Sequence, residues 1–203
     1  PVLKSLLLKA AERTEQAFSL QGRIGVLIDS RWGSDALCAA TGRGWWIGRP
    51  VEQPGSRPLA FDGTRSIGST LIEWPREQVV KCLVAYHPDD EAMLRVAQEE
   101  RVLELWQATR ASGHELLLEV IPPTTPVRAE LVEAPTSPST SSGRTGGGGS
   151  DEVVLRAIKR FYNLGIEPEW WKLAPMQAAS WAALGALIGR ADVAPVRPSP
   201  RAA

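Results

Sequence analysis

The chain has 203 residues with 23 Lys and Arg against 23 Asp and Glu, so it has no net charge at pH 7. A balanced charge offers no field that favours nucleic acid or a membrane surface as a partner. No apolar run approaches the roughly 20 residues of a membrane span. The two cysteines, Cys38 and Cys82, lie in apolar contexts typical of a reduced, cytoplasmic protein.

The N-terminal stretch predicts two helices separated by one strand. Apolar side chains at helical spacing over residues 1–20 predict an amphipathic helix. The apolar run 24–28 predicts a short strand that ends at Asp29. A helix then follows over 34–40, for which Ser34 is a suitable N-cap.

A second strand is predicted over residues 45–51, and it carries Arg49 and leads to Glu52. Residues 54–63 are rich in turn-forming residues and predict a loop. The segment 72–78 then leads into the next strand.

The most informative strand is predicted over residues 79–86, because it is apolar throughout except for Lys81. Alternation places Lys81 on the same face as His87. A buried ammonium is costly unless it is paired or used in chemistry. Two interpretations stay open, a lysine that reaches solvent at a strand end and a functional lysine.

The longest predicted helix covers residues 90–112, with an aspartate as its cap and Gly113 as its end. The apolar run 115–121 follows and predicts a strand that carries Glu119. Charge therefore recurs on a second apolar strand.

Residues 122–150 are dominated by Pro, Thr, Ser and Gly and end in four consecutive glycines. Such a composition cannot bury enough apolar surface to fold, so we predict a disordered insert. Beyond it the pattern predicts, in order, a helix over 151–162, a strand over 170–173 that carries Lys172, a helix over 177–188 and a disordered tail over 191–203.

The alternation of strands and helices predicts an α/β fold, which is either a doubly wound sheet or a (β/α)8 TIM-type barrel. No G-x-G-x-x-G follows a strand, and the chain has no P-loop motif. Barrel enzymes collect catalytic groups from the carboxyl ends of several strands. The barrel is favoured because the polar residues cluster at such positions, at Asp29, Glu52, Lys81, His87, Glu119 and Lys172.

Two lysines and a glutamate on one face suit carbonyl chemistry. Burial and a second nearby cation are expected to lower the pKa of a lysine, and a neutral amine can attack a ketone to form a Schiff base. A metal-dependent route needs several His or carboxylate ligands, but His87 and His114 have no ligand-like spacing. We therefore expect neither a metal nor another cofactor.

Four segments, residues 35–59, 74–90, 112–123 and 161–173, resemble one bacterial family. It is the aldolase-like domain found behind the sugar kinase in bifunctional 5-dehydro-2-deoxygluconokinase proteins of myo-inositol catabolism. This domain is similar in turn to the lysine-dependent tagatose bisphosphate aldolases, which are (β/α)8 barrels. The resemblance implies a lyase that cleaves 2-deoxy-5-keto-gluconate 6-phosphate, a phosphorylated keto-deoxy-sugar acid, with a kinase domain as its partner.

The resemblance also implies roles for individual residues. Lys172 matches the Schiff-base lysine, Glu119 the acid/base glutamate and Lys81 a second active-site lysine. Asp29 and Glu52 match the ends of earlier barrel strands and are expected to bind substrate. On chemistry alone, Arg49 is a candidate ligand for phosphate, and His87 either contacts substrate or helps to start the next helix.

The resemblance covers one partial barrel domain over residues 1–190, with about five of the eight strands and the insert within it. An open barrel admits water, so we expect this chain to show little or no activity on its own. A non-catalytic alternative is a sugar-phosphate-binding or supporting domain of the kinase.

Overall fold

The computed structural model describes residues 2–64, 66–127 and 147–189. Its strands are β1 Gly25–Leu27, β2 Trp46–Pro50, β3 Gln78–Val84, β4 Leu116–Val120 and β5 Trp170–Lys172. Its helices are α1 Val2–Ala17, α2 Ser30–Ala40, α3 Ile67–Ile72, α4 Ala92–Ser112, α5 Gly147–Asn163 and α6 Ala178–Ile188. Most of the predicted insert and the predicted tail lie outside the described residues.

The five strands form one parallel sheet in the order β1-β2-β3-β4-β5, curled into a half-barrel. Each strand is followed by at least one helix, as a parallel connection requires. The sheet order follows the chain order, so the described part of the chain has none of the reversals that define a doubly wound sheet. The prediction of an α/β fold is thereby confirmed, and the parallel half-barrel is compatible with part of a TIM-type barrel.

The core lies on the face of the sheet that packs against the helices. Alternate residues of β3 and β4, among them Cys82 and Leu118, point to this face and are fully buried. They contact apolar side chains of the surrounding helices, such as Leu105 of α4 and Phe161 of α5. The opposite, concave face is therefore left to carry the charged side chains of the same strands.

Three helix starts differ from the predictions. Helix α2 begins at Ser30, because the Asp29 carboxylate accepts a hydrogen bond from the Trp32 amide at 2.7 Å and caps it. Helix α4 begins at Ala92, and Asp90 does not cap it. Helix α5 begins at Gly147, inside the predicted insert.

Helix α3 was not predicted. It spans six residues and is capped by Ser66, whose hydroxyl accepts from the Ser69 amide. The buried residues Ile67 and Leu71 anchor it to the core. Its sequence contains Gly, Ser and Thr, whose weak helix propensity conceals it.

Only part of the apolar side of α1 contacts the core, through Leu8 and Ala11. Leu3, Leu6 and Leu7 are more than half exposed, and Leu8 is the buried residue of this helix.

None of the helices described here is both long and apolar enough to cross a membrane.

Candidate active site

Four charged side chains lie on, or directly after, four neighbouring strands. Glu52 follows β2, while Lys81, Glu119 and Lys172 belong to β3, β4 and β5. Strand register explains why Lys81, Glu119 and Lys172 share a face. Glu119 pairs with Lys172 on one side and with Leu83 on the other. Lys81 lies two residues before Leu83 and so points to the same side. The predicted shared face is confirmed for these residues.

The four side chains form a continuous chain of alternating charge. Lys81 Nζ lies 2.5 Å from Glu52 Oε1 and 3.0 Å from Glu119 Oε2. Lys172 Nζ donates to the other oxygen, Glu119 Oε1, at 2.7 Å. Glu119 therefore bridges the two ammonium groups, and the network has no net charge.

The electrostatics of Lys81 differ from the expectation of a lysine with a lowered pKa. Lys81 is only 5% exposed, and this burial by itself lowers its pKa. The hydrogen bonds and charges of Glu52 and Glu119 outweigh that effect, so the pKa of Lys81 is raised. The predicted mutual lowering is wrong for Lys81 because a carboxylate lies between the two cations.

Glu119 is held in its ionised form. Burial raises its pKa, but the hydrogen bonds from Lys172 and Lys81 outweigh burial and place the pKa below its ordinary value of 4.5. Lys172 differs from Lys81 in access, since its side chain is 52% exposed and Glu119 is the one carboxylate paired with it in the described residues. Lys172 can therefore contact a substrate in the open half-barrel.

Two predicted substrate-binding residues lie away from this network. The Asp29 carboxylate caps α2 and pairs with Lys4 at 2.9 Å, which lowers its pKa despite partial burial. Arg49 is in register with Val80, so it points to the helix-packed face, opposite Lys81. The structure therefore does not bring these two residues to the side chain of Lys172.

His87 helps to order the loop after β3. Its backbone amide donates to Asp90 Oδ2 at 3.2 Å, and its ring Nδ1 accepts from the Asp89 amide at 3.1 Å. Asp90 also accepts from the Val127 amide and pairs with Arg57 at 2.5 Å. These contacts match the interpretation of His87 as a residue that helps to position the following helix.

Asp90 is the residue of this region that the sequence interpretation missed. It is 3% exposed, and it ties the loop after β3 to Arg57 and Val127. The adjacent pair of aspartates before a long helix is a signal in the sequence, but a helix cap is the simpler interpretation of that signal.

Two tryptophans line the concave face below the charged network. The rings of Trp46 and Trp170 meet edge to face, with centroids 5.9 Å apart. Gly48 makes room for this pair, since a Cβ at that position lies 2.9 Å from the Trp46 ring. The Trp170 indole also donates to Glu115 at 2.7 Å, so these rings pack against the sheet.

Within the described ranges, no group of three or more His, Cys, Asp or Glu side chains is arranged to hold a metal ion. The charged groups that meet at one place are instead two lysines and two glutamates. Such a set can hold an anionic carbonyl compound and transfer protons.

The fold and the site define a parallel α/β half-barrel protein with a lysine–carboxylate network at the carboxyl ends of its strands. The chain belongs to a family described as "Uncharacterized protein conserved in bacteria (DUF2090)", whose model matches residues 1–195. No curated protein matches the chain. The family description states no activity, so the resemblance to an aldolase domain stays a prediction.

Proposed function

We propose that this protein is a class I, Schiff-base aldolase-type lyase that acts on 2-deoxy-5-keto-gluconate 6-phosphate. The observation that carries the proposal is that Lys172 and Lys81 bind opposite oxygens of Glu119 on one face of a parallel sheet. The arrangement supports the proposal because an accessible amine, a carboxylate and a fixed positive charge lie close together on one face, and barrel enzymes collect catalytic groups from several such strands.

Lys172 is the nucleophile in this proposal. Glu119 accepts the proton that Lys172 must lose, and the neutral amine adds to the ketone carbon of the substrate. Loss of water gives an iminium. Removal of the proton from the β-hydroxyl then breaks the carbon–carbon bond, and its electron pair moves into the iminium to give an enamine and a semialdehyde. Protonation and hydrolysis of the enamine release a triose phosphate and restore Lys172.

Lys81 has a different role, because its pKa is raised and both of its neighbours are carboxylates. It remains a cation and stabilises the ionised form of Glu119. Glu52 in turn neutralises Lys81 at 2.5 Å. Lys81 is thus the electrostatic partner of the reacting pair.

The wider context belongs to the same proposal. The sequential sheet order and the charged strand ends support a (β/α)8 barrel, of which the five described strands are the larger part. We further propose a cytoplasmic role in inositol catabolism beside a sugar kinase domain. Strand β5 pairs only with β4 among the described residues, and Lys172 is half exposed, so the reaction is expected to be slow in this chain.

The alternative is a sugar-phosphate-binding or supporting domain without turnover. One observation favours it, since every member of the network already has a counter-charge within 3.0 Å. A closed network of this kind can serve stability alone. The two functions differ in whether Lys172 reacts with a ketone.

Exchange of the α-proton of a ketone separates these functions. We expect the chain to exchange the α-proton of dihydroxyacetone phosphate with deuterium oxide slowly, but above the buffer rate, because an enamine must form and be reprotonated. Proton NMR measures the exchange. The Lys172→Met variant should reduce it to background, whereas Lys9→Met, which removes an exposed lysine of α1, should not. Exchange that persists in Lys172→Met, or is absent from the native chain, favours the binding domain.

A further inference from the structure

A second candidate site lies beyond the carboxyl end of β2, between the start of α2 and helix α3. It is a cavity of about 590 Å³. Trp32 and Trp74 contribute aromatic surface to its lining, and Arg31, Arg49 and Glu52 contribute charge. Lys172, Lys81 and Glu119 do not line it, and Glu52 is the residue that the cavity shares with the proposed catalytic site.

The two arginines of this cavity differ from the other arginines that stack on aromatic rings. In the described residues the other stacked arginines are Arg43, Arg101 and Arg110, and each of them also pairs with a carboxylate. Arg31 stacks on Trp32 and Arg49 on Trp74, but neither forms an ion pair in the described part of the chain. The cavity thus contains two stacked guanidinium groups that lack an anion.

Arg49 is held in place although its charge is not neutralised. Its carbon Cζ lies 3.6 Å from the centroid of the Trp74 ring. Its Nε donates to Ser30 Oγ at 2.7 Å and one terminal nitrogen donates to Gln78 at 3.1 Å. A guanidinium has five N–H groups, so donors remain for a ligand. Burial also lowers the pKa of Arg49, which reflects the cost of an unpaired charge.

The acidic groups of the cavity do not cancel this charge. Asp29 is paired with Lys4, and Glu52 uses one oxygen for Lys81. Asp62 is exposed, where water screens it. The second oxygen of Glu52, Oε2, is buried and accepts no hydrogen bond from the residues that the structure describes. A ligand hydroxyl is the natural donor for such an oxygen.

We propose that this cavity binds a small oxyanion carried on a hydroxylated carbon chain, with Arg49 and Arg31 as its cationic ligands. The oxyanion is a phosphate or a carboxylate, both of which match the planar fork of a guanidinium. The tryptophans cover the carbon chain, and Glu52 Oε2 accepts from a hydroxyl. This site does not depend on the proposed lyase activity, because no residue of the Lys172–Glu119 pair takes part.

Isothermal titration calorimetry of the full chain with three probes tests the site. Inorganic phosphate tests the binding of a bare anion. Glycerol 3-phosphate tests a phosphate on a hydroxylated carbon chain, and gluconate tests a carboxylate on such a chain. We expect at least one hydroxylated probe to bind more tightly than inorganic phosphate, and the tighter of the two identifies the anion. Binding should weaken with added salt.

The variants decide whether the cavity is responsible. Arg49→Gln should weaken binding about tenfold or more, because it removes charge-assisted hydrogen bonds. Arg31→Gln changes an exposed side chain and should weaken binding without affecting the melting temperature, which keeps the test valid if Arg49→Gln unfolds. Arg43→Gln, at a stacked arginine outside the cavity, is the control and should bind normally. Absence of binding by all three probes, or equal binding by the Arg31, Arg49 and Arg43 variants, would overturn the proposal.

Discussion

The Lys81→Met substitution should lower the free energy of unfolding by about 3 to 5 kcal/mol at pH 7. Lys81 is 5% exposed and separates two carboxylates, Glu52 and Glu119. Methionine fills a similar volume but leaves Glu52 buried without a cation. Urea denaturation followed by circular dichroism measures the loss.

The matched control is Arg156→Gln, which breaks an exposed ion pair with Asp89. Exposed pairs contribute little, so this variant should lose no more than about 1 kcal/mol. If Lys81→Met also lost no more than about 1 kcal/mol of unfolding free energy, the network would not stabilise the fold.

The effect of Lys81→Met should also depend on pH. In the native chain the pKa of Glu119 is lowered, so its contribution to stability is present above the ordinary value of 4.5 and is lost as the pH falls through the folded value. Protonation removes the charge that Lys81 compensates. The difference between the native chain and Lys81→Met should therefore narrow below pH 4.5.

The Glu119→Gln substitution should reduce the α-proton exchange of dihydroxyacetone phosphate by about 100-fold, the lower end of what a general acid or base contributes. Glutamine keeps the shape, but its amide has one acceptor oxygen, so it can accept from only one of Lys172 and Lys81, which contact opposite oxygens of Glu119. It also cannot take a proton from Lys172. Proton NMR in deuterium oxide measures the rates of both chains.

Glu115→Gln is the control for this prediction, because Glu115 precedes the same strand and its carboxylate contacts the Trp170 indole. It should leave exchange unchanged. Equal rates for the Glu119→Gln and Glu115→Gln variants would contradict the role of Glu119 as the proton carrier, even if Lys172 reacts.

The sequence predicts the position of Lys81, Glu119 and Lys172 well because strand periodicity is local. Each lies in an apolar run long enough to identify as a strand, and sequential parallel strands align their carboxyl ends. The shared face of these three side chains therefore follows from the alternation of side chains along each strand and from the order of the strands.

Arg49 shows where more than one strand is needed to assign a face. Its face depends on the register between β2 and β3, which pairs Arg49 with Val80 and not with Lys81. Register is set by packing across the sheet, so it cannot be predicted from the residues of one strand alone. The prediction of a lowered pKa for Lys81 is wrong for a related reason. The sequence does not show that Glu52 and Glu119 both contact its ammonium group.

Asp29 shows that a carboxylate after a strand suits two roles. It can face a substrate or cap the next helix, and here the hydrogen bond to the Trp32 amide assigns it to the cap of α2. Helix α3 was missed because it is short and its stability comes from the burial of Ile67 and Leu71.

Reductive trapping shows whether Lys172 forms a Schiff base with a keto substrate. The full chain is incubated with 2-deoxy-5-keto-gluconate 6-phosphate and borohydride, and the adduct is located by peptide mass mapping. We predict an adduct well below one per chain that lies on Lys172 in preference to the other four lysines. A label on Lys81, or one spread evenly over the exposed lysines Lys9 and Lys159, would contradict it.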